Sequence, residues 1–264
     1  MAWTIGVPMA PYLSVVIPAY NEARRLPQTL PLVLQFLAAQ PWSWELLVVD
    51  DGSSDQTVAL AEAACHNFAQ ARVIQNPHRG KGYTVRTGMT QAVGEYVLFS
   101  DADLAVPMEE WPKLEAKLQQ GYDIVIASRE GAGASRIDEP FMRHLMGRVF
   151  NIIVRVLGIG QFQDTQCGFK VFSREASHDV FGRMRLYDDT TEAPKGAAVT
   201  AFDVEVLYLA LRRGYRIAEV PVTWRYGEET KVDNIRDSWR NLRDVLKVRW
   251  NAISGQYRDV KPRA

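Results

Sequence analysis

Apolar and polar residues alternate along the first half of the chain in blocks that predict strands and helices in turn. Buried strands are predicted from short apolar runs at residues 13–17, 44–49, 72–75, 97–100 and 123–127, the first stopping at Pro18. Helices are predicted between them at residues 23–39, 56–68, 82–93 and 107–120. Pro27 and Pro31 make the first of these one helix or two. Buried strands joined by single helices favour an open, mostly parallel α/β sheet of Rossmann-like type.

The alternation loosens after residue 127. Helices are predicted at residues 141–157 and 202–213, and strands within residues 163–172 and 217–224. Two polar segments, residues 128–139 and 183–200, are predicted to be loops, the second of them exposed. Because no break in composition separates the halves, we predict one domain. It divides into a nucleotide-binding half at residues 10–127, an acceptor-binding half at residues 128–233, and a C-terminal amphipathic helix and tail at residues 234–264.

Composition narrows the class of protein. The 264 residues are 47% hydrophobic and 23% charged, as in a soluble globular chain. Lysine plus arginine and aspartate plus glutamate both total 31, so no overall basic charge indicates a nucleic-acid partner. Cys65 and Cys167 form no spaced framework, and the sequence shows neither a signal-peptide pattern nor a membrane-spanning apolar segment. We therefore expect a cytoplasmic protein.

Two aspartates follow the central apolar run. Asp101 and Asp103 are expected at the carboxyl end of the strand at residues 97–100, where ligands of parallel sheets bind. The two carboxylates repel each other, so a cation is expected to share the site. Oxygen ligands at this spacing suit Mg²⁺ or Mn²⁺ that bridges to the phosphates of a nucleotide. The alternative is a loop that caps the helix opened by Pro107.

The strand ends lack two common nucleotide-binding signatures. The first strand continues as Pro18-Ala19-Tyr20-Asn21-Glu22, without the glycines of a dinucleotide-binding G-x-G-x-x-G turn. No G-x-x-x-x-G-K-[ST] phosphate loop occurs in the chain either. These ends instead offer Tyr20 for stacking, and the carboxylates of Glu22 and Asp51 for hydrogen bonds to the N–H groups of a uracil or guanine. Helix capping is the alternative role for Asp50 and Asp51.

Seven motifs, in their order and spacing, carry a resemblance to a known family. Those of the first half are Val16-Ile17-Pro18-Ala19-Tyr20-Asn21-Glu22, Val48-Val49-Asp50-Asp51-Gly52-Ser53, NPHRGKG at residues 76–82, and Asp101-Ala102-Asp103. They resemble the inverting family 2 glycosyltransferases, which have a GT-A fold. Those of the second half are similar to the dolichyl-phosphate β-glucosyltransferases and are Asp164-Thr165-Gln166-Cys167-Gly168-Phe169-Lys170, Phe202-Asp203-Val204-Glu205 and Glu219-Val220-Pro221-Val222-Thr223-Trp224.

The resemblance implies an activity and a set of site residues. It implies transfer of a hexose, glucose from UDP-glucose, onto a polyprenyl or dolichyl phosphate, with inversion at the anomeric carbon. It places Asp101 and Asp103 on the motif for the metal, Mg²⁺ or Mn²⁺, and the diphosphate. On the donor side it assigns Pro18, Tyr20, Glu22 and Asp51 to the nucleoside, and places Arg79 and Lys81 in a loop that approaches the donor. On the acceptor side it assigns Arg129, Arg225 and Lys231 to the phosphate, with Arg143 as an additional candidate, and it places Gln166 near the acceptor phosphate or the donor sugar.

Asp203 has two interpretations. It occupies the position at which many relatives carry the carboxylate that removes the acceptor proton. A phosphate acceptor has a second pKa of about 6 and is already ionised near pH 7, so Asp203 then orients groups rather than abstracting a proton.

Two features depart from the family pattern. The usual G-S-K is replaced by Gly227-Glu228-Glu229-Thr230-Lys231, which adds two acids near the expected phosphate, and the segment at residues 183–200 is longer. The sequence therefore leaves alternatives open. They are GDP-mannose as donor, a water-soluble acceptor such as a glycan, and a nucleotide-binding domain without catalysis.

A phosphate carried on a lipid would require contact with a membrane. In the predicted C-terminal helix, apolar residues recur at helical spacing beside basic ones, namely Ile235, Trp239, Leu242 and Leu246 beside Arg236, Arg240, Arg243 and Lys247. Such a helix either lies in a membrane interface or packs on the sheet with a solvated basic side. We expect peripheral association with the cytoplasmic membrane face at most.

Overall fold

Nine strands form two sheets in the part of the chain that this computed structural model describes, residues 10–138, 141–157, 162–190, 194, 201–226 and 234–263. The strands are β1 (Leu13–Ala19), β2 (Trp44–Asp50), β3 (Ala71–Gln75), β4 (Tyr96–Ser100), β5 (Ile124–Ser128), β6 (Ser135–Ile137), β7 (Phe169–Ser173), β8 (Ile217–Pro221) and β9 (Thr223–Arg225). The main sheet has the order β3-β2-β1-β4-β7-β5-β8, and β6 pairs with β9. In the main sheet only β7 runs antiparallel to its neighbours. The predicted mostly parallel α/β sheet is confirmed.

Eight α-helices surround the sheet within the described residues. They are α1 (Leu26–Ala38), α2 (Thr57–Cys65), α3 (Lys81–Gln91), α4 (Trp111–Leu118), α5 (Phe141–Val156), α6 (Arg174–Gly182), α7 (Phe202–Arg213) and α8 (Asn234–Ser254), with a short 3₁₀ helix at Met108–Glu110. The described parts of these helices include no stretch long and apolar enough to cross a bilayer. Gly214 ends α7 in the left-handed conformation, as expected from a glycine at that position.

The two faces of the sheet build two apolar cores. Because side chains alternate along a strand, Val16 and Phe99 face a core shared with α3, α6 and α7, whereas Val15 and Leu98 face one shared with α1 and α4. Both cores consist of fully buried aliphatic and aromatic side chains. Burial on both faces explains why the strands read as continuous apolar runs rather than alternating ones.

Three prolines proved compatible with the elements that contain them. β1 does not stop at Pro18 but runs through it to Ala19, because its pairing with β4 has already ended at Val16 while that with β2 continues. Residues 26–38 form one helix despite Pro31, and Pro27 lies in its first turn, where a missing N–H costs nothing. Burial of one apolar face of α1 offsets the hydrogen bond that Pro31 cannot make.

The second half differs from the prediction in four places. The predicted strand at residues 217–224 is two strands, β8 and β9, which lie in different sheets. The segment at residues 128–139 is not wholly a loop, because β6 pairs with β9 there. Helix α6 was not predicted, and in the segment at residues 183–200 the described residues Met184 and Tyr187 are buried rather than exposed. These elements form through contacts between distant segments, which periodicity does not reveal.

Gly88 lets α3 lie directly on the sheet, and this close approach is testable. A methyl group at this position would lie 2.3 Å from Val16 Cγ1 and 2.9 Å from Val49 Cγ2. We expect Gly88→Ala to lower the free energy of unfolding by about 1–3 kcal/mol, because the helix must move off two buried strands. Equilibrium urea unfolding followed by circular dichroism measures the effect.

Gly147, in α5, provides the matched control, since among the described residues no atom beyond its chain neighbours and the backbone of its own helix lies within 4 Å of the position that a methyl group would occupy there. Gly147→Ala should leave stability unchanged or raise it by up to about 1 kcal/mol through helix propensity. Equal effects of the two substitutions would show that α3 does not depend on the close contact.

Candidate active site

The loops that are predicted to bind the donor are held together by Asp51. Its carboxylate, 2% exposed, accepts hydrogen bonds from the backbone N–H groups of Arg79 at 2.9 Å and of Gly80 at 2.9 and 3.0 Å. His78 Nδ1 lies 2.8 Å from the same carboxylate. Gly80 has a φ of 92°, a conformation that favours glycine at this turn. Asp51 therefore builds the loop that precedes α3, and its expected contact with a nucleoside stays a prediction.

His78 forms a contact that the sequence did not reveal. Its ring stacks on that of Tyr20, with centroids 4.2 Å apart and an angle of 8° between the planes. The aromatic surface predicted at Tyr20 is thus shared with a residue of the 76–82 loop. The signal in the sequence was the position of His78 directly before Arg79-Gly80-Lys81, but nothing there specified its partner.

Glu22 and Arg25 form an ion pair beside the paired aspartates. Arg25 Nη1 donates to both oxygens of the Glu22 carboxylate, at 3.0 and 3.2 Å. The charge of Arg25 acts on Asp103 and opposes the increase in its pKa. The first turn before α1 therefore contributes a cation to the site, which the sequence analysis did not identify.

Asp101 and Asp103 lie beyond the carboxyl end of β4, as predicted, and Lys81 of the 76–82 loop lies against them. Lys81 Nζ, at the start of α3, lies 2.6 Å from Asp101 Oδ1. The Asp101 backbone N–H donates to the Gly168 carbonyl at 3.0 Å, and a methyl group on Gly168 would lie 1.9 Å from Asp101 Oδ2. Asp103 Oδ1 accepts from the Ala105 N–H at 3.0 Å. Gly168 therefore provides the space that the Asp101 carboxylate occupies.

Burial and charge perturb both Asp103 and Lys81. Burial, followed by the negative charge of Asp101, raises the pKa of Asp103 above its usual range. Burial lowers the pKa of Lys81, but Asp101 more than offsets this, so the pKa lies above the usual value for lysine. The site therefore holds more negative charge than one ammonium group balances well. This is the electrostatic environment that a further cation would relieve.

The donor atoms at β4 fit a divalent cation bound together with a diphosphate. The described residues contain no cluster of three or more histidine, cysteine or acidic side chains that could hold a metal ion alone. Two carboxylates, however, are what Mg²⁺ and Mn²⁺ commonly take from a protein when phosphate oxygens and water complete the shell. The chemistry of Asp101 and Asp103 fits that arrangement.

A second, buried ion pair lies next to the first. Lys170 Nζ on β7 lies 2.5 Å from Asp203 Oδ1 at the start of α7 and donates to the Cys167 carbonyl at 2.5 Å. Lys170 is 1% exposed and Asp203 is 6% exposed. Burial raises the pKa of Asp203, and the charges of Lys170 and Lys81 only partly offset it. The pairing of Lys170 was missed because the two residues are 33 positions apart.

Arg129, which is predicted to bind the acceptor phosphate, is bound to a buried carboxylate. Its Nε and Nη2 donate to the two oxygens of Asp164 at 2.7 and 2.9 Å, and its guanidinium lies over the Trp224 ring. Burial would raise the pKa of Asp164, but the bidentate Arg129 holds that pKa well below its usual range. Arg129 thus neutralises Asp164, and its predicted contact with an acceptor phosphate stays a prediction.

The other predicted acceptor residues are placed less completely. Arg225 is exposed on β9, and its backbone N–H donates to the Ala105 carbonyl at 2.8 Å, which links β9 to the turn that holds Asp103. The Gln166 backbone N–H donates to Asp164 at 3.2 Å. Lys231 and the side chain of Arg143 lie outside the described residues.

Comparison with families of known proteins gives a match over most of the first two thirds of the chain. Residues 14–181 match the model of "Glycosyl transferase family 2". A dolichyl-phosphate beta-glucosyltransferase of Homo sapiens is 33% identical, with 93% of this chain and 77% of that protein covered. One of Dictyostelium discoideum is also 33% identical, over 92% of this chain and 76% of that protein.

Solved structures show the same fold. A glucosyl-3-phosphoglycerate synthase from Mycobacterium tuberculosis, in complex with Mn²⁺, UDP and glucosyl-3-phosphoglycerate, superimposes with a TM-score of 0.62 at 22% identity. The match covers 90% of this chain and 80% of that one. A mannosyl-3-phosphoglycerate synthase from Rubrobacter xylanophilus gives a TM-score of 0.60 at 18% identity, over 93% and 75% of the two chains. The expected GT-A fold is confirmed.

The Arg129–Asp164 pair gives a prediction about stability. Arg129→Met leaves Asp164 buried without its counter-ion, and we expect the free energy of unfolding to fall by about 3–5 kcal/mol. The double substitution Arg129→Met with Asp164→Asn should recover most of the loss. Because the folded pKa of Asp164 lies below its unfolded value, this contribution is present at neutral pH and is lost as the pH falls. Urea unfolding at neutral pH measures all three proteins.

The exposed pair Arg185–Asp259, with a distance of 2.9 Å, is the matched control. Arg185→Met should cost no more than about 1 kcal/mol, since water screens both groups. A loss of similar size at Arg129 and Arg185 would contradict the structural role given to Asp164.

Proposed function

The chain belongs to glycosyl transferase family 2, and from this we propose that it transfers glucose from UDP-glucose to dolichyl or another polyprenyl phosphate. The observation that carries the proposal is the similarity to dolichyl-phosphate beta-glucosyltransferases along more than nine tenths of the chain. The residues that the reaction would require lie together beyond the carboxyl end of β4. Asp101, Asp103 and Lys81 form the donor side, and Asp203 with Lys170 lies beside them.

A divalent cation, Mg²⁺ or Mn²⁺, is part of the proposal. Asp101 and Asp103 would hold it, and the solved glucosyl-3-phosphoglycerate synthase with Mn²⁺ and UDP supports a metal in this fold. When bound, such a cation supplies Lewis-acid stabilisation of charge on the departing nucleotide diphosphate. Lys81 adds a second positive charge from the protein itself, and the charge of Arg25 also reaches Asp103. The nucleoside would be contacted by Pro18, Tyr20, Glu22 and Asp51.

A phosphate acceptor fits the cations of the second half. Arg225 is exposed on β9 and joined through Ala105 to the turn that carries Asp103, so a phosphate bound there would lie near the donor diphosphate. Arg129, already neutralised by Asp164, would position Gln166 through that carboxylate. Lys231 would add a further cation. A neutral hydroxyl acceptor has no need of such groups, which supports the phosphate over a water-soluble glycan.

Asp203, we propose, orients the acceptor side instead of removing a proton. Its carboxylate is buried and already ion-paired with Lys170 at 2.5 Å, so one of its oxygens is occupied by a lysine of the protein rather than open to an acceptor hydroxyl. An ionised phosphate oxygen attacks the anomeric carbon directly, so no base is required. Lys170 holds Asp203 in place, and its charge offsets part of the increase in the pKa of Asp203 that burial causes.

Donor, acceptor and metal are tested together by measuring lipid-linked sugar from a panel of nucleotide sugars with dolichyl phosphate. We expect UDP-glucose with Mg²⁺ or Mn²⁺ to be preferred, and EDTA to abolish transfer. Asp103→Asn should reduce the rate by at least about hundredfold, because the cation that would stabilise charge on the diphosphate loses one of its two carboxylate ligands. The same variant should melt at the same or a higher temperature than the parent protein without metal, since one of two repelling charges is gone.

Asp259→Asn, at an exposed carboxylate in the C-terminal tail, serves as the control and should retain full activity. Preference for GDP-mannose, or for a soluble acceptor over dolichyl phosphate, would contradict the proposed substrates. Undiminished transfer in EDTA would contradict the metal.

The role of Asp203 is tested with the charge-balanced double variant Asp203→Asn with Lys170→Gln, which leaves no buried charge alone. If Asp203 orients, transfer to dolichyl phosphate should fall by less than the factor of about 10²–10⁴ that general-base catalysis contributes. The pH dependence of kcat should keep its shape. A loss within that range, together with a vanished acidic limb, would identify Asp203 as a base.

A further inference from the structure

The exposed apolar side chains of the molecule are concentrated on two helices. Seven of the eleven large apolar side chains exposed among the described residues lie on α5 and α8. They are Val149, Ile152 and Val156 on α5, and Trp239, Leu246, Trp250 and Ile253 on α8. Trp239 and Trp250 are 70% and 69% exposed. Scattered exposed apolar residues are ordinary on a soluble protein, but a patch of this kind marks an interaction site.

Each helix also has an inner face that already holds it in the fold. Val154 of α5 and Val245 and Val248 of α8 are buried in the core on one side of the sheet, and α5 packs against α8. The apolar residues that stay exposed therefore are not the faces that the fold needs. The alternative predicted from the sequence, a helix packed on the sheet with only a solvated basic side, explains the inner face but not the exposed tryptophans.

The charge on this surface has one sign. Arg148 and Arg155 of α5 and Arg243, Lys247 and Arg249 of α8 are exposed. Within the described side chains of residues 146–157 and 239–254 the only acid is Asp244, which is 4% exposed. The whole chain carries equal numbers of acidic and basic residues, so this is a local separation of charge. A mostly apolar groove along α8 is lined by Trp239, Leu242 and Leu246, with Arg240 and Arg243 beside them.

We propose that the exposed faces of α5 and α8 form one docking surface for an anionic lipid bilayer. Amphipathic helices with basic residues beside tryptophan and aliphatic side chains lie in the headgroup region, with the apolar residues below it. Trp239 and Trp250 are separated by about 16 Å along α8 at 1.5 Å per residue, and so anchor the helix at two points along the interface. The biological role of this surface rests on the proposed lipid-phosphate acceptor, whereas the observations that support it are independent of that acceptor.

A second copy of this chain fits the surface less well than lipid. In a twofold dimer the same patch meets itself, which would bring two sets of exposed arginines and lysines face to face. Like charges across an interface are unfavourable, whereas anionic headgroups neutralise them.

The surface is joined to the acceptor side of the site by buried hydrogen bonds. On α5, Asn151 Oδ1 accepts from the Thr165 N–H at 3.2 Å and from the Thr165 hydroxyl at 3.0 Å. On α8, Asp244 accepts from the Ala201 N–H at 3.4 Å and from the Tyr187 hydroxyl. Thr165 precedes Gln166, and Ala201 lies two residues before Asp203. Docking at α5 and α8 thus fixes the segments that would receive the acceptor phosphate.

Vesicle co-sedimentation of the full chain tests the surface. Wild-type protein should bind phosphatidylcholine vesicles that contain phosphatidylglycerol, and binding should weaken with salt. Trp250→Ser should lower the affinity by at least about tenfold, and Arg243→Glu with Lys247→Glu by about tenfold or more. Leu32→Ser, at a 58% exposed apolar residue of α1, is the matched control and should bind as wild type. Thermal melting checks that each variant is folded.

The outcomes separate this proposal from the proposed function. Vesicle binding without transfer of glucose to dolichyl phosphate would support the docking surface and contradict the proposed substrates. Each of three results would contradict the docking surface. They are glucose transfer by a chain that does not bind anionic vesicles, equal binding to vesicles of pure phosphatidylcholine, and wild-type vesicle binding by Trp250→Ser. A wild-type dimer in light scattering that Trp250→Ser converts to a monomer would also contradict it, because the patch would then be covered by a second copy. UDP binding measured by calorimetry should be the same in wild type and Trp250→Ser.

Discussion

The mutual neutralisation of lysines and carboxylates beyond the end of β4 is the constraint on which the candidate site depends. Lys81 pairs with Asp101, and Lys170 pairs with Asp203, both close to the ring of Phe99. A lone buried charge costs several kcal/mol, on the order of the net stability of a domain, so the fully buried Lys170–Asp203 pair does not tolerate separation. The pairs therefore hold the start of α3, the end of β4, strand β7 and the start of α7 at one point. The chain spends stability there to keep charged groups ready for a charged ligand.

Much of the donor side could be predicted from the sequence, because its information is local. The apolar run at residues 97–100 and the two acids after it specify a strand end, and two repelling carboxylates require a cation. Lys81 meets part of that requirement in the structure through its contact with Asp101. Local spacing also predicted α7 and its end at Gly214.

The acceptor side was harder to predict, because its contacts join residues far apart in the chain. Arg129 meets Asp164 across 35 positions, and Lys170 meets Asp203 across 33. Strand β7 is short and antiparallel and lies between β4 and β5. The alternation of strands and helices in the sequence does not predict that position. One sequence gives the types of these residues but not their pairing. Buried charges of opposite sign at a strand end still constrain the choice, since each must find a partner.

The packing of Tyr187 over Gly82 has an evolutionary consequence. A side chain at residue 82 would begin 2.6 Å from the Tyr187 ring, next to Lys81, while the Tyr187 hydroxyl is bonded to Asp244 of α8. The ring thus fills the space of the missing side chain and connects the donor lysine with the far helix. In homologous chains these two positions should covary, with a larger residue at 82 accompanied by a smaller one at 187. A substitution at either position alone should disturb both the loop that carries Lys81 and the contact with α8.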